Sequence, residues 1–347
     1  MFLSCLDSTL DLEPERVVCC LGIKFFKLGV SMNNFSLRQM EKRDERLLVS
    51  PFRDMFEYRI VFEFLIVLFL WVSVLALGIA GIIPLWLGLC CNTVLATTFY
   101  MPMHEATHGN IWGRHSRYRW GEDLIGSISS LPLGFDYWTH RIQHMRHHAF
   151  TNDPKRDPDY HTKGPIRELP VSWWGIAVIS TFTPVFAFSK HASRFLPSKI
   201  RNVFANQADT DVPKATMLKT GKYALRFWIF MHSMLIAGFI FGFAWDFLLL
   251  WYLPARISNA WLILVFAWYP HHPAEKQGRY VDTRVAVFPG STLLIRGHDH
   301  HALHHLFPRV PHYRLPELWK VIGPQMIAKG VRTEGRAIGA NTSIVWN

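Results

Sequence analysis

Four stretches of this chain carry almost no charge over lengths that match a lipid bilayer. Residues 64–83 lack any charged side chain, and residues 85–103 follow directly after Pro84. Residues 227–245 and 247–269 form a second such pair, the last interrupted by Pro254, Arg256 and Asn259. A helix needs about 20 mostly apolar residues to cross the hydrocarbon layer. Inside lipid each backbone polar group must find its partner within the segment, which leaves helices as the way for such runs to cross. The runs predict two tight transmembrane hairpins with almost no external loop.

Composition agrees. Half of the residues are apolar and only 18% are charged, against about 25% in ordinary soluble domains. Disordered, collagen-like and disulfide-scaffold classes are excluded on the same ground. The five cysteines include the adjacent pairs Cys19/Cys20 and Cys90/Cys91 and no CxxC spacing, so neither a disulfide framework nor a zinc ribbon is indicated. Nine Lys/Arg precede residue 60, sixteen lie between residues 109 and 222, and ten follow residue 270. The hairpin tips carry none; only Arg226, at a membrane edge, and Arg256, within the fourth run, stand apart. Cations concentrate on the cytoplasmic side of membrane proteins, so both termini and the central region are expected there. The net charge of +11 flanks spans instead of forming one patch, which argues against a nucleic-acid partner. Arg256 is expected either at a protein-lined kink beside Pro254 or in a polar contact near the substrate tunnel or metal site.

Residues 171–188 are also apolar, but a fifth span there would put histidine clusters on opposite faces. An interfacial or re-entrant helix is the consistent reading, with a weaker one over 123–135. Residues 1–58 are expected to be a cytosolic N-terminal tail, of which 1–31 is disordered or a mis-called start. Residues 59–320 form the membrane domain, and 321–347 a C-terminal tail.

Thirteen of the 18 histidines fall into four short clusters. HEATH supplies His104 and His108, which share one helical face at i and i+4. HRIQHMRHH supplies His140, His144, His147 and His148; the last three have HxxHH spacing, again one face. HDHHALHHLFP supplies His298, His300, His301, His304 and His305, with HxxHH repeated at 301, 304 and 305. His271 and His272 follow the last span. In the topology above all four clusters lie on the cytoplasmic side, although the cation pattern and the histidine spacing are independent features of the sequence. One zinc takes four ligands, so eight or nine imidazoles point to two metals, and imidazole suits iron, zinc, copper and nickel. Two redox-active irons at a membrane suggest dioxygen activation and hydrogen removal from an unactivated C–H bond. His115, His161, His191, His232 and His312 are read as surface or core residues. HEATH also fits HExxH, the zinc-hydrolase helix with Glu105 as general base, but that reading leaves both HxxHH clusters unexplained. A metal transporter would place its ligands within the spans, where the third offers only His232.

HEATH, HMRHH and HALHHLFP resemble the three histidine boxes of the membrane-bound fatty acid desaturase family. TNDPKRDPD (151–159) and LFPRVPHYRL (306–315) extend the likeness, which runs from about residue 64 to 319. YPHHP around His271, and Arg279 to Arg284 with Pro289 and Gly290, are similar to bacterial desaturase-like proteins and cyanobacterial-type carotenoid ring hydroxylases. His298, Asp299 and His300 depart from the usual third box. The resemblance implies an all-α integral-membrane fold: four transmembrane helices in two hairpins, and a cytosolic helical cap holding a di-metal site. It implies two iron ions bound by His104, His108, His144, His147, His148, His301, His304 and His305, with His271 as a ninth ligand. Asp153, Asp157 and Asp159 are candidates to orient ligands or to cap turns. His140, His272, His298 and His300 are read as supporting or surface residues. No catalytic group beyond the ligands is implied. The expected activity is O2-dependent fatty acyl desaturation in a multi-pass membrane protein, with a bacterial inner membrane as its place. Carotenoid ring hydroxylation is the alternative, with ketolation or acyl hydroxylation behind it. No dinucleotide fingerprint, four-cysteine iron–sulfur pattern or HPGG haem motif occurs, so a separate ferredoxin, rubredoxin or cytochrome b5-type carrier is implied. The cationic cytoplasmic face would steer an acidic one.

Overall fold

A computed structural model describes residues 44–189, 191–208 and 213–346; the expectations for residues 1–31 lie outside them. The chain divides into Met1–Asp44 and Glu45–Asn347, and everything below concerns the second unit. It is mostly helical. Among the described residues three helices are long and apolar enough to cross a membrane: α1 (Tyr58–Ile79), α9 (Lys214–Ile240) and α10 (Ala244–Trp268). α1 and α9 leave large apolar side chains such as Leu65, Phe69, Ile236 and Phe239 exposed. Water would make that face a liability; lipid solvates it.

The run at 85–103 forms two shorter helices, α2 (Leu85–Thr98) and α3 (Tyr100–His108). The break has a local cause. Pro102 has no N–H to return to the carbonyl of Thr98, and the ladder stops one turn earlier, at Phe99. α9 starts well before the expected residue 227, because Lys214–Arg226 continues the helix. It ends where Gly242 takes a left-handed φ of 84°.

Of the two expectations for Arg256, the kink beside Pro254 does not form: α10 runs through Pro254, with π-helical turns at Leu248–Tyr252 and Ile263–Trp268. Pro254 leaves the Leu250 carbonyl without its usual donor, and the buried Asn92 of α2 donates to that oxygen at 2.7 Å. Arg256 is buried beside this turn. Its Nη1 donates to Gly134 O (3.2 Å) at the end of α4 (Arg119–Leu133), and its guanidinium lies 4.9 Å from the Tyr252 ring. Trp251 Nε1 donates to Leu131 O at 2.6 Å, so two α10 side chains cap the α4 C-terminus.

α5 (Tyr137–Ala149) starts on Asp136, whose carboxylate accepts the Thr139 N–H at 2.6 Å. Residues 171–188 lie in α6 (Leu169–Thr181) and α7 (Thr183–Phe188), each too short to cross a bilayer. α8 (Ser198–Ala208), α11 (Ser291–Leu294), α12 (His301–Leu306) and α13 (Leu315–Ala328) complete the helices discussed here.

The all-α expectation needs one correction. β1 (Arg284–Val287) and β2 (Arg332–Gly335) form a two-stranded parallel sheet in the register Arg284↔Arg332. The boundary expected at 320/321 falls inside α13, and β2 pairs beyond it, so that region is joined to the body. Arg284 and Glu334, both fully buried, make a 2.7 Å ion pair at the sheet. Arg284 also donates to the carbonyls of Tyr269 (2.9 Å) and Val345 (3.0 Å), tying the chain's end to the residues just before His271.

Candidate metal centre

Every residue of α3 is buried, including His104 and His108. α5 presents His144, His147 and His148, α12 presents His301, His304 and His305, and His271 follows α10 by three residues. These nine side chains converge into two groups. His104, His108, His144, His148 and His304 form one; His147, His271, His301 and His305 form the other. Within each group the ligand atoms lie within 4.8 Å of one another. His148 and His305 stack across the two groups, with ring centroids 4.2 Å apart and an 18° interplanar angle.

The contacts within the groups are not those of a hydrogen-bonded core. In the first, Nε2 atoms follow one another from His104 to His304 (3.1 Å), His148 (2.9 Å), His144 (3.1 Å) and His108 (2.9 Å). A neutral Nε2 has either one N–H or one lone pair, so it can serve one partner. Five such atoms in a row can satisfy only two of these four contacts. A cation facing all five lone pairs removes the conflict. The spacing fits as well: two nitrogens at right angles, each about 2.1 Å from one ion, lie about 3.0 Å apart, whereas tetrahedral ligands would lie about 3.4 Å apart. In the second group Nε2 of His271 meets Nε2 of His147 at 3.1 Å and of His301 at 3.0 Å, while His305 Nε2 is buried without a partner. Both donor sets therefore fit a metal ion, with the first shaped for more than four ligands.

The nitrogens facing away are oriented. His147 Nδ1 donates to Asp157 Oδ1 at 2.8 Å, with Asp159 Oδ2 at 3.7 Å. Thr151 Oγ1 donates to His147 O (2.8 Å), and its oxygen accepts from His305 Nδ1 (3.1 Å). His301 Nδ1 meets His298 Nδ1 at 2.8 Å. These contacts leave Nε2 as the atom that would face a metal ion. Burial, reinforced by neighbouring imidazoles, holds His144, His148, His301, His304 and His305 well below the ordinary histidine value, so they are neutral at pH 7. His147 behaves oppositely: burial disfavours its charge, but Asp157, and then Asp159 and Asp282, lift it to about 9. Within the second group the carboxylates thus favour positive charge at His147 alone, while burial and neighbouring imidazoles hold His271, His301 and His305 low.

Of the three acidic candidates, Asp157 is buried against His147, Asp159 is second nearest, and Asp153 closes a turn with Arg156. Glu105 is not free to act as a general base. Its Oε2 accepts from Asn110 (2.6 Å) and its Oε1 from His312 Nδ1 (3.1 Å), which removes the zinc-hydrolase reading of HEATH. His300 pairs with Asp299 (2.9 Å), and His272 stacks on Trp268, so neither joins the groups. His298 was among the residues read as supporting or surface, whereas Thr151 and His312 were not singled out as supports. Thr151 at i+4 from His147 and His298 at i−3 from His301 follow helical spacing; His312 carried no such signal.

A cavity opens beside both groups. His144, His147 and His301 form one wall, and Leu262, Ile263 and Phe266 of α10 form another. A substrate carbon placed there faces both histidine sets.

A family model described as fatty acid desaturase matches residues 79–335. An sn-1 acyl-lipid omega-3 desaturase (ferredoxin) of Nostoc sp. is 26% identical over 270 residues, covering 72% of this chain and 71% of that protein. A probable fatty acid desaturase of Sorghum bicolor is 27% identical over 247 residues, covering 65% of this chain and 60% of its own length. A beta-carotene ketolase of Paracoccus sp. is 25% identical over 247 residues, covering 69% of this chain and 82% of that protein.

Proposed function

The chain belongs to the fatty acid desaturase family, and from that premise we propose that it is an O2-dependent, non-haem di-iron oxidoreductase of membrane lipids, acting as a fatty acyl desaturase. The observation that carries the reading is the convergence of nine imidazoles into two groups whose Nε2 contacts only cations can reconcile. His104, His108, His144, His148 and His304 would hold one iron, and His147, His271, His301 and His305 the other. Two irons so held supply, with dioxygen and external electrons, the oxidising power to remove hydrogen from an unactivated C–H bond.

The protein's part is placement. Asp157, Thr151 and His298 keep ligand rings turned so that Nε2 faces inward. The α10 wall of Leu262, Ile263 and Phe266 seats an apolar chain against His144, His147 and His301 and keeps bulk water from it. Desaturation and hydroxylation share the first hydrogen removal and diverge on ångström-scale placement of the second carbon.

We read α2 and α3 together as the second of four spans. Residues 85–108 make about 36 Å of helix at 1.5 Å per residue, enough for a layer about 30 Å thick. The cation pattern puts both termini and the histidines on the cytoplasmic side. A separate carrier of ferredoxin, rubredoxin or cytochrome b5 type supplies electrons; turnover with NAD(P)H alone would exclude that need. A second reading, carotenoid ring oxygenation, has support in the ketolase match.

The test is iron analysis with O2 uptake on the purified protein, and lipid and pigment profiling of expressing cells beside a His147→Ala control. Two irons per chain, a new unsaturated lipid and its loss in the variant are expected. One zinc per chain, or full activity in the variant, would reject the assignment.

A further inference from the structure

The cavity beside the histidine groups is more polar than a hydrocarbon requires. Between its two walls stand Tyr100, His140, Asp159 and Asn259, four polar side chains that belong to neither group. Asn259, Ile263 and Phe266 fall on one face of α10 at i, i+4 and i+7, so one helical stripe turns from apolar to polar with distance from His271. His140 is fixed by its surroundings. It stacks on His144 (ring centroids 5.2 Å, interplanar 18°), and Tyr100 and Phe135 pack against it at 5.6 and 5.5 Å. Its Nε2 is buried and has no partner. A neutral imidazole offers one donor and one acceptor. A saturated chain gives such an atom nothing, and a buried polar atom left unpaired is a standing cost.

We propose that this cavity seats a substrate that already carries an oxygen function, a hydroxyl or a carbonyl, close to the C–H bond presented to the metals, and that His140 and Asn259 recognise that oxygen. The inference rests on the lipid-oxidoreductase reading and narrows its substrate class. His140 donates to a carbonyl or hydroxyl oxygen through its N–H, or accepts a hydroxyl hydrogen on its lone pair. Asn259 can do either through its amide. Both residues are specificity-determining: they touch a non-reacting atom of the substrate and belong to neither histidine group, although His140 packs on the ring of His144. The oxygen could be borne by an acyl chain or by a carotenoid ring, and the two arms of the test separate these sources.

The full-length, iron-loaded protein in detergent is incubated with an equimolar mixture, re-isolated, and its bound lipids are quantified by mass spectrometry. One mixture holds stearate and its positional monohydroxy isomers; the other holds beta-carotene and its hydroxylated and ketolated derivatives. At least one oxygenated compound is expected to be enriched about tenfold over its parent, near the least that pairing a buried polar atom is worth. His140→Leu and, separately, Asn259→Leu are expected to bring that ratio towards one while the parent is still retained. Parity or preference for the parent in both arms with the unaltered protein would overturn the proposal, whatever the variants do. So would an enrichment that survives both substitutions. Retention of no member of either series would overturn it together with the lipid-oxidoreductase reading, which parity would leave standing.

Discussion

Asp157→Asn tests the second histidine group through a single atom type. Asp157 accepts three hydrogen bonds: His147 Nδ1 (2.8 Å) and the Asp159 N–H (2.9 Å) on Oδ1, and the Asn152 N–H (2.8 Å) on Oδ2. An asparagine of the same shape has one acceptor oxygen and one NH2. With its oxygen towards His147, the NH2 opposes the Asn152 N–H. Turned round, it opposes Nδ1–H and drives the His147 proton onto the ligating Nε2. Either way a buried charge-assisted bond is lost, worth about 1.5–3 kcal/mol, or about 10- to 150-fold in metal affinity. Loss of an outer partner of a metal-bound histidine commonly weakens binding 10- to 100-fold. The four-histidine group should therefore release its iron to a chelator first. Iron per chain, measured after graded chelator dialysis, is expected to fall from two to about one in Asp157→Asn at a chelator concentration that leaves the unaltered protein intact. Asp153→Asn, which disturbs only the turn with Arg156, should behave like the unaltered protein. Two equally tight irons in Asp157→Asn would refute the idea that this carboxylate orients a ligand.

Asn92→Leu should lower stability by about 1–3 kcal/mol, because the Leu250 carbonyl that Pro254 cannot serve loses its 2.7 Å donor; thermal unfolding in detergent reads the change, and an unaltered Tm counts against it. Arg284→Met removes the fully buried partner of Glu334 and leaves it Arg332 at 2.8 Å and the Val345 N–H at 3.0 Å, so the cost should stay below about 3–5 kcal/mol, that of a buried charge left wholly unpaired, while the double variant with Glu334→Met should recover much of the loss; a double variant no better than the single one would place the damage elsewhere. Glu45 carries the pH prediction. Burial raises its pKa, but hydrogen bonds from Lys329 and Tyr280 and the charge of Arg279 bring it below the usual carboxylate value. A depressed carboxylate stabilises above its unfolded pKa, and that contribution fades as pH falls through the folded one. Glu45→Gln should thus lower Tm at pH 7 and converge with the unaltered protein as the pH falls below the usual carboxylate range; a gap that widens on acidification would reverse the sign.

That these histidines share helical faces was legible because helical spacing is a short-range code. HxxxH in α3 and HxxHH in α5 and α12 each place their imidazoles on one face whatever the rest of the fold does. Which histidines fall into the same group was not legible. His148 groups with His304 while its neighbour His147 groups with His271 and His301. That division depends on how three helices cross, and no single segment contains it. The same limit explains His312, which lies 207 residues from the Glu105 it supports. The extra histidines split for local reasons. His298 lies one helical turn before His301 and supports it, His300 turns to Asp299, and His140 turns to the cavity.

For the spans, hydropathy located the apolar runs but misplaced their interruptions, because a proline's effect depends on what replaces its missing hydrogen bond. Pro102 and Pro254 are both inside apolar runs. At Pro102 the ladder ends and a new helix begins, which starts the buried helix that carries His104 and His108. At Pro254 the helix persists, since π-helical turns and Asn92, 158 residues earlier in the chain, take up the released carbonyl. Continuity of α10 in turn sets the position of His271, three residues beyond its last turn. A residue deep in one apolar run thus governs a ligand supplied by another. Any substitution that lets α10 kink at Pro254 should therefore be felt first at the four-histidine group, and only afterwards at the other.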